Sequence, residues 1–393
     1  MVPKRWSKQT FNSITQIGNG QVDPKVEPYA SMIHIGPENV ISDTGQLVNL
    51  KKCSELGLIS GKYEFDENAI VYSKIRPNLN KVSRPMFKGV CSADMYPIWA
   101  KDSVYVEYLF HYMLGPSFYR IAVSMSMRTG MPKINRSDLN TVSVLLPPLA
   151  EQNKIAQILS TWDKSITTTE KLLVNCKKQK KALIQQLLTG RKRLPGFKGK
   201  WNTYQLGSLL KERVETNRPD LQLLSITSER GVIFQDKSGR KNVSNDDKSK
   251  YRRICIDDIG YNTMRMWQGR SCLSDKEGIV SPAYTILKPT ENVCPLYASY
   301  LFKLPELVHL FYRHSQGLVS DTWNLKYNYF KKIQWKFPDL AEQQAIANVL
   351  KTADGVIETL ESKIAILKQE KKALMQQLLT GKVRVKLDKS KAA

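Results

Sequence analysis

The chain has 393 residues, with 60 Lys and Arg against 36 Asp and Glu, a formal net charge of +24 and a pI near 9.6. That length allows two or three domains, and the charge points to a polyanion, most simply nucleic acid. No apolar run approaches the ~18 residues of a membrane span and no secretory leader is visible. Six cysteines (53, 91, 176, 255, 272 and 294) show neither a Cys-x-x-Cys nor a zinc spacing, so a reduced, cytoplasmic protein without a bound metal or membrane attachment is expected.

Residues 1–146 read as a mixed α and β domain. Short β-branched and aromatic runs such as Ala69–Tyr72 and Val142–Leu146, broken by Gly, Asn and Pro, predict strands and turns, and Val106–Leu114 predicts a helix. Residues 147–190 predict one long helix, entered behind Pro148 and closed by Thr189-Gly190. Its apolar positions alternate by four and three through Ile155, Leu159, Trp162, Ile166, Thr169, Leu173, Cys176, Lys180, Leu183 and Leu187. A spacing of about 3.5 held over more than four heptads is a coiled-coil seam. At ~1.5 Å per residue the helix is roughly 60 Å long. The stretch 147–200 carries 12 basic residues against 3 acidic ones. Lysines at outer heptad positions that solvate the helix explain this stretch, but not an excess spread over the whole chain.

A linker, 191–200, leads to a second mixed domain over 201–337, with a strand predicted at Ile333–Phe337 and a helix at Pro295–Leu304. Residues 338–381 then repeat the first helix, and 382–393 form a basic tail. A shift of 191 positions (340 − 149) aligns 147–193 with 338–384 without gaps, and 25 of the 47 pairs are identical. The second seam runs through Ile346, Leu350, Ala353, Ile357, Leu360, Ile364, Leu367, Lys371, Leu374 and Leu378. Lys180 and Lys371 interrupt the two seams at the same place. Such a residue either fixes register at a cost in stability or snorkels past the seam to water.

The two domains resemble each other weakly. Trp6, Phe11 and Ile14 recur as Trp201, Leu206 and Leu209, and Gly89-Val90-Cys91-Ser92 recurs as Gly278-Ile279-Val280-Ser281. The fold class expected is therefore α+β with internal duplication. Two mixed domains are separated by two long helices that pair as an antiparallel coiled coil about a pseudo-two-fold, since no connection is long enough to retrace a helix.

Catalytic machinery is not evident. No Gly-x-Gly-x-x-Gly or Gly-x4-Gly-Lys-Ser/Thr cradle occurs, nor an Asn-Pro-Pro-aromatic string of the kind that grips a flipped base. Pro219-Asp220 with Glu229-Arg230 lacks the lysine a nuclease set needs. His309 and His314 lie in an aromatic-rich segment and read as packing residues. The chain is expected to have no catalytic centre of its own.

The pattern resembles the specificity subunit of type I restriction–modification systems. The residues that carry the likeness are Pro-x-Leu-Ala-Glu-Gln at 147–152 and 338–343, the two helices ending Gln-Gln-Leu-Leu-Thr-Gly, and Arg193-Leu194-Pro195-Gly196-Phe197 ahead of Trp201. The resemblance implies two target-recognition domains, each reading half of a split, asymmetric double-stranded DNA site whose spacer the helical pair sets. It implies two methylation subunits that bring S-adenosylmethionine, and restriction subunits that use ATP and Mg, with no cofactor on this chain. One departure is that only five residues precede Trp6, so the first domain lacks the Leu-Pro-Gly-Phe leader. Candidate DNA-contacting residues lie in turn-rich loops before the last strands: Arg76, Asn78, Arg128, Lys133, Asn135 and Arg136 in the first domain, and Arg265, Gln268, Arg270, Gln316 and Asn324 in the second. The rival reading is a non-catalytic coiled-coil scaffold with two protein-binding domains.

Overall fold

The computed structural model describes residues 3–126, 132–227, 231–239, 246–319 and 322–387. Two long helices span Leu149–Leu187 and Leu340–Leu378. Each ends on a glycine with positive φ, Gly190 at 71° and Gly381 at 69°, the left-handed cap that only glycine adopts without strain. The chain forms two compact units, Met1–Glu170 with Ser362–Ala393, and Lys171–Glu361. Each unit thus holds one mixed domain, the N-terminal half of the helix that follows it and the C-terminal half of the other helix.

In the first unit, Ser7–Thr10 pairs antiparallel with Ser143–Leu146, tying the start of the domain to the strand that feeds the long helix. A four-stranded sheet is ordered Thr15–Ile17, Met95–Ala100, Ile70–Ser73 and Val82–Ser83, and a second is ordered Lys51–Lys52, Ile33–Ile35, Gly89–Cys91 and Tyr63–Phe65. The second unit repeats the plan. Asn202–Gln205 pairs with Gln334–Phe337, and a four-stranded sheet runs Leu210–Glu212, Tyr284–Pro289, Ile259–Asn262 and Ser271–Leu273. The helix over Val106–Leu114 falls where its periodicity places it, and the one from Pro295 stops at Leu301. Two further helices, Pro116–Met125 and Pro305–His314, each begin on a proline that needs no N–H partner in the first turn.

The main core of each unit is shared between domain and helices. In the first, Phe11, Tyr72, Tyr108 and Phe118 pack with Ile155 and Leu159 of one helix and Met375, Leu378 and Leu379 of the other. In the second, Tyr261, Tyr297, Phe302 and Phe330 pack with Leu187, Leu188, Ile346 and Leu350. Each buried aliphatic of this kind contributes about 1.5–3 kcal/mol, so the domains are fused to the helices rather than tethered. Every residue of the 3.5-spaced seams, Trp162 and Lys371 included, is buried or half-buried, whereas Leu172, Val174, Val356 and Ile366 on other helix faces are exposed.

Within each unit the helix halves run antiparallel. In the first, Glu170 meets Lys368 at 2.7 Å, Asp163 meets Lys371, and Glu151 meets Arg384. In the second, Lys177 meets Glu361 at 2.6 Å, Lys180 meets Asp354, and Arg193 meets Glu342. All three pairs correspond under the 191-residue shift. The seam lysines therefore reach acids on the facing helix instead of snorkelling to water.

The Glu-Gln leader gains its meaning here. Glu342, fully buried, accepts a fork from Arg193 at 2.5 and 2.6 Å and the Trp201 indole N–H at 3.1 Å. Glu151 accepts the same fork from Arg384 at 2.6 and 2.8 Å and the Trp6 indole N–H at 2.9 Å. Gln152 donates to the Pro147 and Ser103 carbonyls and accepts from the Tyr105 N–H, and Gln343 does likewise with Pro338, Asn292 and Cys294. The first domain is anchored by the segment after the second helix. Arg384 also donates to the Lys4 carbonyl and lies over the Trp6 ring at 5.7 Å.

Candidate nucleic-acid interface

In the first unit, strand Ile70–Ser73 runs out into Lys74, Ile75 and Arg76, and a single turn follows at Pro77–Leu79. The segment 132–135 is stitched alongside: Arg76 N–H donates to the Pro132 carbonyl at 2.8 Å, and Ile134 N–H to the Lys74 carbonyl at 2.9 Å. Arg76 holds a left-handed backbone, φ 47°, a conformation that costs an ordinary L-residue roughly 1–2 kcal/mol. Asn80 closes the turn with φ 45°, its amide held by Asp43 at 2.8 Å and the Leu114 carbonyl at 3.1 Å. This framing leaves Arg76, Asn78 and Lys133 exposed. Among the described residues no acceptor takes the Arg76 guanidinium.

Beneath this rim the cations gather on one ring. Lys74 Nζ lies 5.0 Å and the Arg136 guanidinium 5.3 Å from the centre of Tyr96. Burial pushes the Lys74 ammonium below its ordinary range, and the neighbouring charge of Lys133 pushes it further, with Asp94 opposing. Three cations that outnumber the nearby acids Asp94 and Asp138 favour an anion arriving from outside.

The second unit builds the same corner. Leu325 N–H donates to the Thr263 carbonyl at 2.8 Å, in the place of Ile134 on Lys74. Arg265 stands before the turn Met266–Gln268, as Arg76 stands before Pro77–Leu79. Gln268, Arg270 and Gln316 are exposed and Arg265 is half-exposed. An aromatic ladder lies beside them: the Trp323 ring is 5.3 Å from Trp267 and 4.9 Å from Tyr312.

Three sequence candidates turn inward. Arg136 donates to the Ile17 carbonyl at 2.9 Å and the Gly18 carbonyl at 2.6 Å, so its charge is present but its donors are engaged. Asn135 precedes the helix Arg136–Asn140 in a capping box with Asp138. Asn324 donates to the Gln316 and Thr322 carbonyls and braces its own loop. Arg128 lies outside the described residues. Sequence reasoning missed Lys74, Tyr96 and the Trp267–Trp323–Tyr312 ladder. Lys74 was within reach, because it stands two residues before Arg76 in a segment that recurs in the second domain.

Among the described residues, no group of three or more His, Cys, Asp or Glu is placed to hold a metal, and the six cysteines are unpaired. No helix among them is long and apolar enough to cross a membrane. His309 stacks on Tyr312, and His314 bonds to the Leu310 carbonyl. Asp220 is held by Arg218 at 2.7 and 2.9 Å, and Glu229 and Arg230 lie outside the described residues.

Residues 3–176 match the family described as type I restriction modification DNA specificity domain. The type I restriction enzyme EcoDI specificity subunit of Escherichia coli is 36% identical over 187 residues, covering 48% of this chain and 41% of that protein. The chain thus spans less than half the length of that relative. The MjaVIII specificity subunit of Methanocaldococcus jannaschii is 26% identical over 346 residues, 76% of this chain and 75% of that one. Among solved structures, a chain of a type I R-M system studied for complex assembly and conformational transition superposes with a TM-score of 0.61 at 16% identity, over 98% of this chain and all of that one. The HsdS subunit of Thermoanaerobacter tengcongensis gives 0.53 at 15%, over 97% and 98%. At such identities the likeness is one of fold.

Proposed function

We propose that the chain is a specificity subunit of a type I restriction–modification system, a reading supported by the family match over residues 3–176 and by the curated relatives, and that its two mixed domains each read one half of a bipartite, asymmetric site on double-stranded DNA. The long helices that carry the domains set the spacer between the halves. The observation that supports this most is the corner of the first domain, where Lys74 and Arg136 lie over Tyr96, Lys133 adds its charge beside Lys74, and no acceptor among the described residues takes the Arg76 guanidinium. Cations of that kind neutralise phosphates and fix register, and an exposed arginine in a rigid turn reads a base edge, most often guanine. Two readers multiply their discrimination, because each wrong base pair costs ~1–3 kcal/mol.

The chain itself is non-catalytic. Methylation subunits, two per complex, bring S-adenosylmethionine and the adenine chemistry, and restriction subunits bring ATP, Mg and cleavage. The purified chain alone is therefore expected to methylate, cut and hydrolyse nothing.

Binding of the full chain to a random duplex, measured against salt, tests the reading. A DNA reader loses affinity steeply, with log K falling about 0.9 per phosphate neutralised for each unit of log salt. Lys74→Gln and Lys133→Gln each lower that slope by about 1. A coiled-coil scaffold with two protein-binding domains shows no such slope.

A further inference from the structure

Leu318 is fully exposed and Val319 more than half exposed, side by side in the loop that follows helix Pro305–His314 of the second unit. Single exposed apolar residues need no explanation, but this loop is built to hold a pair of them outward. Gln316 and Asn324 exchange both backbone hydrogen bonds at 2.8 Å, closing its base. Nearer the tip, Thr322 N–H donates to the Val319 carbonyl at 2.9 Å, and Val319 N–H donates to the Thr322 hydroxyl at 3.2 Å. Gly317 has φ 144°, and a Cβ there would lie 2.7 Å from the Thr322 backbone. Trp323, stacked edge-on with Trp267 and Tyr312, backs the loop. The described residues of the loop thus hold an apolar pair outward on a hydrogen-bonded stem.

The chain segments that flank the loop and its aromatic backing are cationic. Arg313 and Lys326 flank the loop in the chain, and Arg265 and Arg270 flank Trp267. The one acid in the loop, Asp321, lies outside the described residues. A protein groove fit for Leu318 would leave these cations without counter-charge. DNA offers phosphates to the cations and a stack of bases to the apolar tip.

We infer that Leu318, backed by Val319, is a wedge that enters between two base pairs of the half-site read by the second domain and partly unstacks that step. This rests on the DNA-reading function proposed above. The step it enters is then specified by deformability rather than by hydrogen bonds, with flexible pyrimidine–purine steps preferred.

The test uses the full chain and a duplex obtained by random-site selection. With 2-aminopurine placed in turn along the second half-site, the unaltered chain is expected to raise fluorescence several-fold at one step. Leu318→Ala abolishes that rise and weakens specific binding about tenfold, while the melting temperature and the salt slope stay unchanged. Leu318→Met restores both signals. A mismatch at that step, already unstacked, binds L318A as well as the unaltered chain. Flat fluorescence at every step despite sequence-specific binding overturns the wedge, as does an L318A chain that binds like the parent. If L318A keeps DNA binding but no longer co-purifies with a methylation subunit, the tip is a protein contact and the wedge is likewise overturned. A parent chain that selects no sequence at all brings down the DNA-reading function, and the wedge with it, a result distinct from the others.

Discussion

Lys180 donates to Asp354 on the helix seam of the second unit, and the equivalent lysine of the first unit, Lys371, donates to Asp163. The domains supply different third partners. The Tyr300 hydroxyl donates to Asp354 at 2.6 Å, whereas His111 Nδ1 stands 3.8 Å from Asp163 while its Nε2 meets the Ser160 hydroxyl at 3.1 Å. A charge placed on an apolar seam is costly when it lacks a partner, so a slip of the helices by one turn is penalised at both lysines. The pairs act as register pins.

Replacing Lys180 by Met leaves Asp354 part-buried with only Tyr300. Both members of the pair retain some solvent, so the expected loss is about 1–2 kcal/mol rather than the 3–5 of a fully buried pair. The double variant Lys180→Met with Asp354→Leu is expected to recover most of it. Urea unfolding checks both, and a double variant no better than the single one contradicts the pin.

The buried glutamates predict a unit-specific effect. Glu342→Gln strips charge from a carboxylate that holds Arg193 and Trp201, at a cost of about 2–4 kcal/mol. Hydrogen exchange should rise around Trp201 and not around Trp6. Deleting residues 382–393 removes Arg384 from Glu151 and should loosen the first unit in the same way, whereas deleting only 388–393 should not. Equal protection of Trp6 in the two truncations would count against the anchor.

Acid should weaken the first unit before carboxylates titrate. Burial, aided by the charge of Lys371, holds the His111 pKa down to about 3. Between that value and the ordinary 6.5 the unfolded chain binds a proton that the folded chain refuses, so stability falls as pH drops below 6.5. His34, lowered by burial and by Lys62, adds in the same direction. Asp163, raised by burial against Lys371, opposes only nearer the carboxylate range. Thermal unfolding from pH 7.5 to 5.5 should show the loss, and His111→Tyr, which copies Tyr300, should remove part of it. An unchanged slope in H111Y would assign the loss elsewhere.

The duplication and the seams were legible in the sequence because both are written locally, one as a shifted self-match and the other as a 3.5-residue rhythm. The Glu-Gln leader was visible only as a pattern. Its work lies in contacts such as Trp6 with Glu151, 145 positions apart, for which no local rhythm exists. The same holds at the interface. Arg136 reads as a free loop cation, yet it bonds to the Ile17 and Gly18 carbonyls, 119 and 118 positions away. Lys74, Tyr96 and Arg136 come together only through the fold, since they are 22 and 40 positions apart in the chain.

The central claim is that each domain reads its own half-site. The direct measurement is methylation mapping in a host that carries either the parent chain or a chimera whose residues 201–337 come from a relative. The account predicts that one half of the modified site changes while the other half and the spacer stay as they were. A chimera that alters both halves, or that shifts the spacer with the helices untouched, would contradict it.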